Sequence, residues 1–96
     1  MWMRINDFME LVEITGDYNK VSVLVNVIVK ETGEEIKKYE LNGNIDTYET
    51  KEHVISELDS MFNFYLAEEG PNPYIWLESV WCSCGGRCHY TINIEI

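Results

Sequence analysis

The sequence predicts an α+β domain: an antiparallel sheet laid down in the order αβββα and followed by a C-terminal β-hairpin, with helices packed on the sheet. Three observations predict it. Val occupies every odd position from Val21 to Val29, which is the two-residue period of a strand with dense β-branching. Val54, Ile55, Leu58, Met61, Phe62, Tyr65 and Leu66 repeat at the 3.6-residue period of an amphipathic helix. Tyr74 to Cys84 and Cys88 to Ile96 are strand-like runs joined through Gly85-Gly86.

Taken in order, Asn6 is placed to cap a short helix whose apolar residues Phe8, Leu11 and Val12 share one face, with Gly16 ending it. The Val-rich strand follows. Glu31-Thr32-Gly33-Glu34 then turns the chain into a second strand marked by Ile36, Tyr39 and Leu41, and Asn42-Gly43-Asn44 turns it again into a short third strand from Ile45 to Tyr48. Thr50 caps the long helix, which Gly70 and Pro71 stop. In the hairpin, a two-residue loop sets Ile75, Leu77 and Trp81 opposite Ile96, Ile94 and Tyr90, and places Trp76, Glu78, Val80, Cys82 and His89 on the other face. A three-residue loop would instead set Cys84 opposite Cys88 and Val80 opposite Ile92; the two-residue loop is preferred.

A chain of 96 residues has room for one domain, spanning residues 1–96. Seven Lys and Arg stand against seventeen Asp and Glu, a net charge of −10 that repels nucleic acid and anionic membranes alike. Neither a membrane-spanning run nor the pattern of a signal peptide is expected, and three cysteines fit a reducing compartment, so the expected location is the cytoplasm. The charge is concentrated in the middle: residues 31–69 carry eleven acids and three bases, a net −8.

Cys82-Ser-Cys84-Gly-Gly-Arg-Cys88-His89 is the most metal-like string, with four candidate zinc ligands in eight residues. Structural zinc draws ligand pairs from two separated knuckles, so Cys82, Cys84, Cys88 and His89 read instead as ordinary cysteines at a hairpin tip, with a redox-labile cross-strand pair as a further possibility and no cofactor expected. Neighbours such as Cys88 and His89 point to opposite faces of a strand, which does not suit a Cys-His nucleophile. No phosphate-cradling Gly loop, G-x-S-x-G, H-E-x-x-H or Asp-rich cation loop occurs, so an enzyme is not expected.

The acids form the other constellation. Glu31, Glu34 and Glu35 cluster at one turn, Glu40, Asp46 and Glu49 lie in or beside the next strands, and Glu68 and Glu69 close the long helix. Such carboxylates can approach the density of a duplex, about one negative charge per 1.7 Å of axis, and so compete for Arg and Lys built to grip phosphate. Their simplest alternative role is solubility.

From Met3 to Leu66 the chain resembles small acidic phage-encoded anti-CRISPR proteins, inhibitors of a type II RNA-guided DNA nuclease. The resemblance is carried by Ile5-Asn6-Asp7-Phe8 opening a short helix, the Val-rich strand ending in Glu31-Thr32-Gly33-Glu34-Glu35, two further strands, and the helix from Glu52 to Phe62. It implies a cytoplasmic bacterial setting and a basic nucleic-acid-binding partner, a CRISPR-associated nuclease above all. It also implies that Glu35 and its neighbours, with Glu68 and Glu69, occupy the Arg-lined site that reads the PAM. The last third departs from that family, ending in an aromatic, Cys-rich hairpin where the family has an acidic helix. There Trp76, Val80 or Trp81 could serve as an apolar anchor. Two alternatives stand beside this reading: an immunity protein or antitoxin masking a basic toxin nuclease, and a zinc-stabilised adaptor.

Overall fold

The computed structural model describes residues 1–15, 21–43, 51–83 and 87–96. Its elements are β1 (Trp2–Arg4), α1 (Ile5–Thr15), β2 (Val21–Ile28), β3 (Glu35–Gly43), α2 (Lys51–Leu66), a single 3-10 turn (Ala67–Glu69), β4 (Tyr74–Cys82) and β5 (Cys88–Glu95). The class is α+β as expected, but the sheet is mixed. Its five strands lie in the order β1-β4-β5-β2-β3, and β5 runs parallel to β2 while every other pair is antiparallel.

β1 has no counterpart in the sequence reading, because three residues are too few to display a period. The expected third strand from Ile45 to Tyr48, the Gly16 helix end and the Thr50 cap all lie outside the described residues. Asn42 and Gly43, read as turn residues, belong to β3 and pair with Ser22 and Val21. Asn6 does not cap α1 either, since the helix already begins at Ile5. Its amide instead donates to Asn72 Oδ1 at 3.0 Å, and the Ile5 amide donates to Pro73 O at 2.9 Å. Two orphan donors of the first turn are thus satisfied by the loop before β4, a remote cap that local spacing could not disclose.

The turn between β2 and β3 follows its sequence. Gly33 has φ +72°, a left-handed conformation that side chains disfavour, and its amide donates to Val29 O at 2.8 Å. Gly70, at φ +102°, carries the chain out of the 3-10 turn in the same permissive way.

Both helices pack on one sheet face. Phe8 and Val12 of α1, with Val54, Leu58, Met61, Phe62 and Leu66 of α2, cover the odd-numbered valines of β2, Ile75 and Leu77 of β4, and Tyr90, Ile92 and Ile94 of β5. Phe8 is edge-on to both Phe62 and Tyr90, at centroid distances of 6.4 and 6.0 Å. Fully burying each of these side chains contributes roughly 1.5–3 kcal/mol. Thr15 gives its hydroxyl proton to Leu11 O at 2.6 Å, so the 2.6 Å contact between Tyr90 OH and Thr15 Oγ1 has the tyrosine as donor.

The hairpin register differs from both sequence alternatives. Cys82 pairs with Cys88, Trp81 with His89 and Val80 with Tyr90, whereas Leu77 pairs with Ile92 and Trp76 with Asn93. The Ser83–Arg87 pairing already sets the tip one residue away from the preferred register, and a bulge between Leu77 and Ser79 shifts it by one more: Glu78 is the extra residue, and beyond it every side chain changes face. Trp81 therefore leaves the core-facing row of Ile75 and Leu77 and joins Trp76 on the opposite face.

Burial raises the pKa of the Tyr90 phenol. The Tyr65 phenol is also raised, first by its 2.7 Å hydrogen bond with Tyr39 and then by burial. A phenol held protonated by the fold stabilises it fully below the ordinary value near 10, and that stability is lost as pH climbs toward the raised value. Urea titrations are therefore expected to show stability falling above pH ~10. Tyr90→Phe should cost about 0.5–1.5 kcal/mol at neutral pH and soften the alkaline fall. An unchanged alkaline slope in this variant would assign the effect elsewhere.

Candidate interaction surfaces

The fold gathers most of the sequence-singled carboxylates at one end of the sheet. Glu31 and Glu34 sit in the exposed β2–β3 turn, and Glu35 opens β3, where it pairs with Lys38 at 3.9 Å. Glu68 and Glu69 occupy the exposed 3-10 turn. Lys30 joins the two groups, its Nζ lying 3.7 Å from Glu69 Oε1. Glu95, which the sequence reading did not single out, lies at the same end because β5 runs parallel to β2 and pairs Glu95 with Ile28. Glu40 stands apart: it faces Leu24 five residues up β3 from Glu35, about 17 Å along the strand. Asp46 and Glu49 lie outside the described residues.

Beside this acidic end is an open cleft of about 360 Å³, lined by Trp2, Arg4 and Tyr74 on one side and by Lys30, Glu69 and Glu95 on the other. Arg4 places its guanidinium carbon 4.2 Å from the Tyr74 ring centroid and donates to Asn72 O at 2.8 Å. The cleft marks where the acidic end meets an aromatic edge.

That edge belongs to the sheet face opposite the helices, which no described element covers. It carries Trp2 and Arg4 of β1, Tyr74, Trp76 and Trp81 of β4, and His89, Thr91 and Asn93 of β5. All three tryptophans of the chain are here. Trp2 meets Trp76 edge-on at 5.2 Å, and Trp81 stacks on His89 at 4.1 Å with planes 15° apart. Trp76 and Trp81 were legible as candidate anchors, but Trp2 was not, because only its pairing with Trp76 gives it a place.

At the centre of this face Asn26 is 8% exposed and donates through Nδ2 to Asn93 Oδ1 at 3.0 Å. Its own Oδ1 has no partner among the described residues. The pair is a register pin: a slip of β5 along β2 would leave the buried Asn26 amide without this partner, at a cost of about 1–3 kcal/mol. Nearer the hairpin tip, Arg87, the residue before β5, donates to Ser22 Oγ at 3.0 Å and Ser22 donates to Asn42 Oδ1 at 2.8 Å, tying the start of β5 to β2 and β3.

The cysteine string takes a form the sequence reading did not prefer. Cys82 and Cys88 are joined as a disulfide, with Cα atoms 4.0 Å apart. The register explains it. Ser83 donates to Arg87 O at 2.8 Å, so Cys82 and Cys88 form the neighbouring non-hydrogen-bonded pair, the position where facing strands come closest. Sulfurs committed to each other are not thiolate ligands, and His89 is stacked on Trp81, so the zinc arrangement does not assemble in this state. Cys84 lies outside the described residues. Elsewhere, His53 lies 3.7 Å from Glu57 on the exposed side of α2. No described helix is long and apolar enough to cross a membrane.

Comparison with protein-family models, with curated proteins and with solved structures found no match.

The disulfide closes a sequence separation of six residues, for which loss of chain entropy in the unfolded state corresponds to about 2 kcal/mol. Cys82→Ser is expected to lower stability by that order in urea titrations under air, and the difference from the parent chain should vanish in excess reductant. A gap that persists under reduction would mean that the cysteine acts through packing instead.

Proposed function

We propose that the protein is an acidic inhibitory binding protein that mimics DNA and blocks the nucleic-acid site of a basic partner, a CRISPR-associated nuclease or a related phage-defence nuclease. The observation that carries this reading is the convergence of Glu31, Glu34 and Glu35 with Glu68 and Glu69 across the 3.7 Å Lys30–Glu69 pair. Acids more than thirty residues apart in sequence share one end of the sheet, with Glu95 beside them. Exposed carboxylates of this kind contribute little to folding, whereas opposite a phosphate-binding Arg they form charge-assisted, often bidentate hydrogen bonds. A net charge of −10 would steer association with a basic cleft and raise its rate.

In this reading the protein binds rather than catalyses, touches no nucleic acid itself, and acts in the cytoplasm of a bacterial host, where reduction would hold the Cys82–Cys88 pair as thiols. Glu40, about 17 Å along β3 from Glu35, lies apart from the main contact. An immunity protein masking a basic toxin nuclease would use the same electrostatics, and identifying the partner separates the two.

Glu34→Lys together with Glu35→Lys is expected to abolish competition with the partner's DNA while leaving the circular dichroism and melting transition nearly unchanged. Partner affinity of the parent chain should fall steeply with added salt. Leu58→Ala serves as the control, costing roughly 2–5 kcal/mol of stability and acting only through unfolding. Binding indifferent to salt, to competing DNA and to the charge reversals would reject the mimicry.

A further inference from the structure

One edge of the sheet is half filled. β1 pairs with Tyr74–Trp76, and Met1 and Leu77 exchange backbone hydrogen bonds of 2.8 and 3.1 Å. Past the Glu78 bulge, no described residue pairs with β4 on that side. The hydrogen-bonding parity then identifies the open groups. Because Ser83 and Arg87 are a hydrogen-bonded pair with β5, so are Trp81 with His89 and Ser79 with Thr91. Val80 and Cys82 therefore point their N–H and C=O groups outward, away from β5. The side chains flanking them are apolar and accessible, Val80 at 40% exposure on the helix side and Trp81 at 56% on the open side.

We propose that the Val80–Cys82 edge is a strand-addition site for an extended segment of a partner protein carrying Arg or Lys at alternate residues. β1 is the internal template for such an occupant. It lies antiparallel along the same edge, sets Trp2 against Trp76, and lays the Arg4 guanidinium over the Tyr74 ring. A strand continuing that line places its same-face side chains beside Ser79 and Trp81. One face of the Trp81 indole is taken by His89, and a cation over the accessible part of the ring would repeat the Arg4–Tyr74 contact. Glu78, exposed in the bulge beside this edge, favours the same sign.

The available area argues for a segment over a second copy of the chain. Trp2, Tyr74 and Trp81, each about half exposed, leave roughly 300 Å² of aromatic surface. A stable protein pair needs about 800 Å² from each partner. This site is separate from the acidic end and does not depend on the function proposed for it.

The test uses the intact oxidised chain and a short capped peptide of alternating Arg and Val, followed by Trp fluorescence and by amide hydrogen exchange. Saturable binding is expected, with exchange at the Val80 and Cys82 amides slowed at least ~10-fold. The same peptide N-methylated at alternate backbone positions, and its Glu-Val counterpart, should bind at least ~10-fold more weakly. Trp81→Ala should weaken binding and Val80→Pro should remove it, whereas the Glu34 and Glu35 reversals should leave it unchanged. The peptide comparisons need no variant, so a misfolded Val80→Pro does not blunt the test. Equal binding of the N-methylated peptide, protection elsewhere in the sheet, or sedimentation showing self-association through this edge would overturn the proposal.

Discussion

The parallel pairing of β5 with β2 is the constraint on which the rest of the molecule depends. Two antiparallel units, β2 with β3 and β4 with β5, are each local in sequence, and neither alone presents an apolar face wide enough to seat both helices. Joined along eight residue pairs from Val21–Cys88 to Ile28–Glu95, they form the continuous floor on which α1 and α2 rest. The join is also the costly step, because it closes a chain separation of 67 residues before its contacts can compensate. Buried rows from Val21 to Val27 and from Tyr90 to Ile94 supply the offset, and the Asn26–Asn93 pair selects the register among the slips that such uniform rows would otherwise tolerate.

The same pairing decides where charge and aromatic surface fall. Because β5 enters the middle of the sheet parallel to β2, its last residues arrive beside the β2–β3 turn, and Glu95 meets the acids of that turn and of the 3-10 helix. Its first residues bring the hairpin tip to the opposite end, where β2 begins. An antiparallel β5 would have reversed this placement and set the disulfide among the acids.

What the sequence disclosed is what period and local chemistry can encode. The valine alternation gave β2, the 3.6-residue stripe from Val54 to Leu66 gave α2, and the Gly33 turn followed from its composition. Pairings set by distant partners were not legible. β1 exists because β4 and Met1 hold it, and α1 begins where Asn72 and Pro73 receive its first amides. The hairpin register was hidden for a different reason: Glu78 gives no sign of being a bulge residue, yet that one insertion moves Trp81 to the face opposite Leu77, while the Ser83–Arg87 pairing sets Cys82 opposite Cys88. For the candidate sites the division is similar. The acids could be named from the sequence, but their convergence needed the Lys30–Glu69 contact, and the outward direction of the Val80 and Cys82 backbone groups has no sequence signature at all.

The two surfaces are also separable in physical kind. β2 spans eight residues between the acidic end and the tip, about 25 Å, roughly three Debye lengths at physiological ionic strength. Carboxylates at one end therefore add little field at Val80 and Cys82. Contacts at the acidic end depend on long-range charge and weaken with salt. Those at the β4 edge depend mainly on directional backbone hydrogen bonds and aromatic surface, with only short-range charge from Glu78 and cation–ring contact added. A partner engaging both would be drawn in by the first and oriented by the second, and the Glu78 bulge, by turning Trp81 onto the open face, is what gives that second surface its aromatic side.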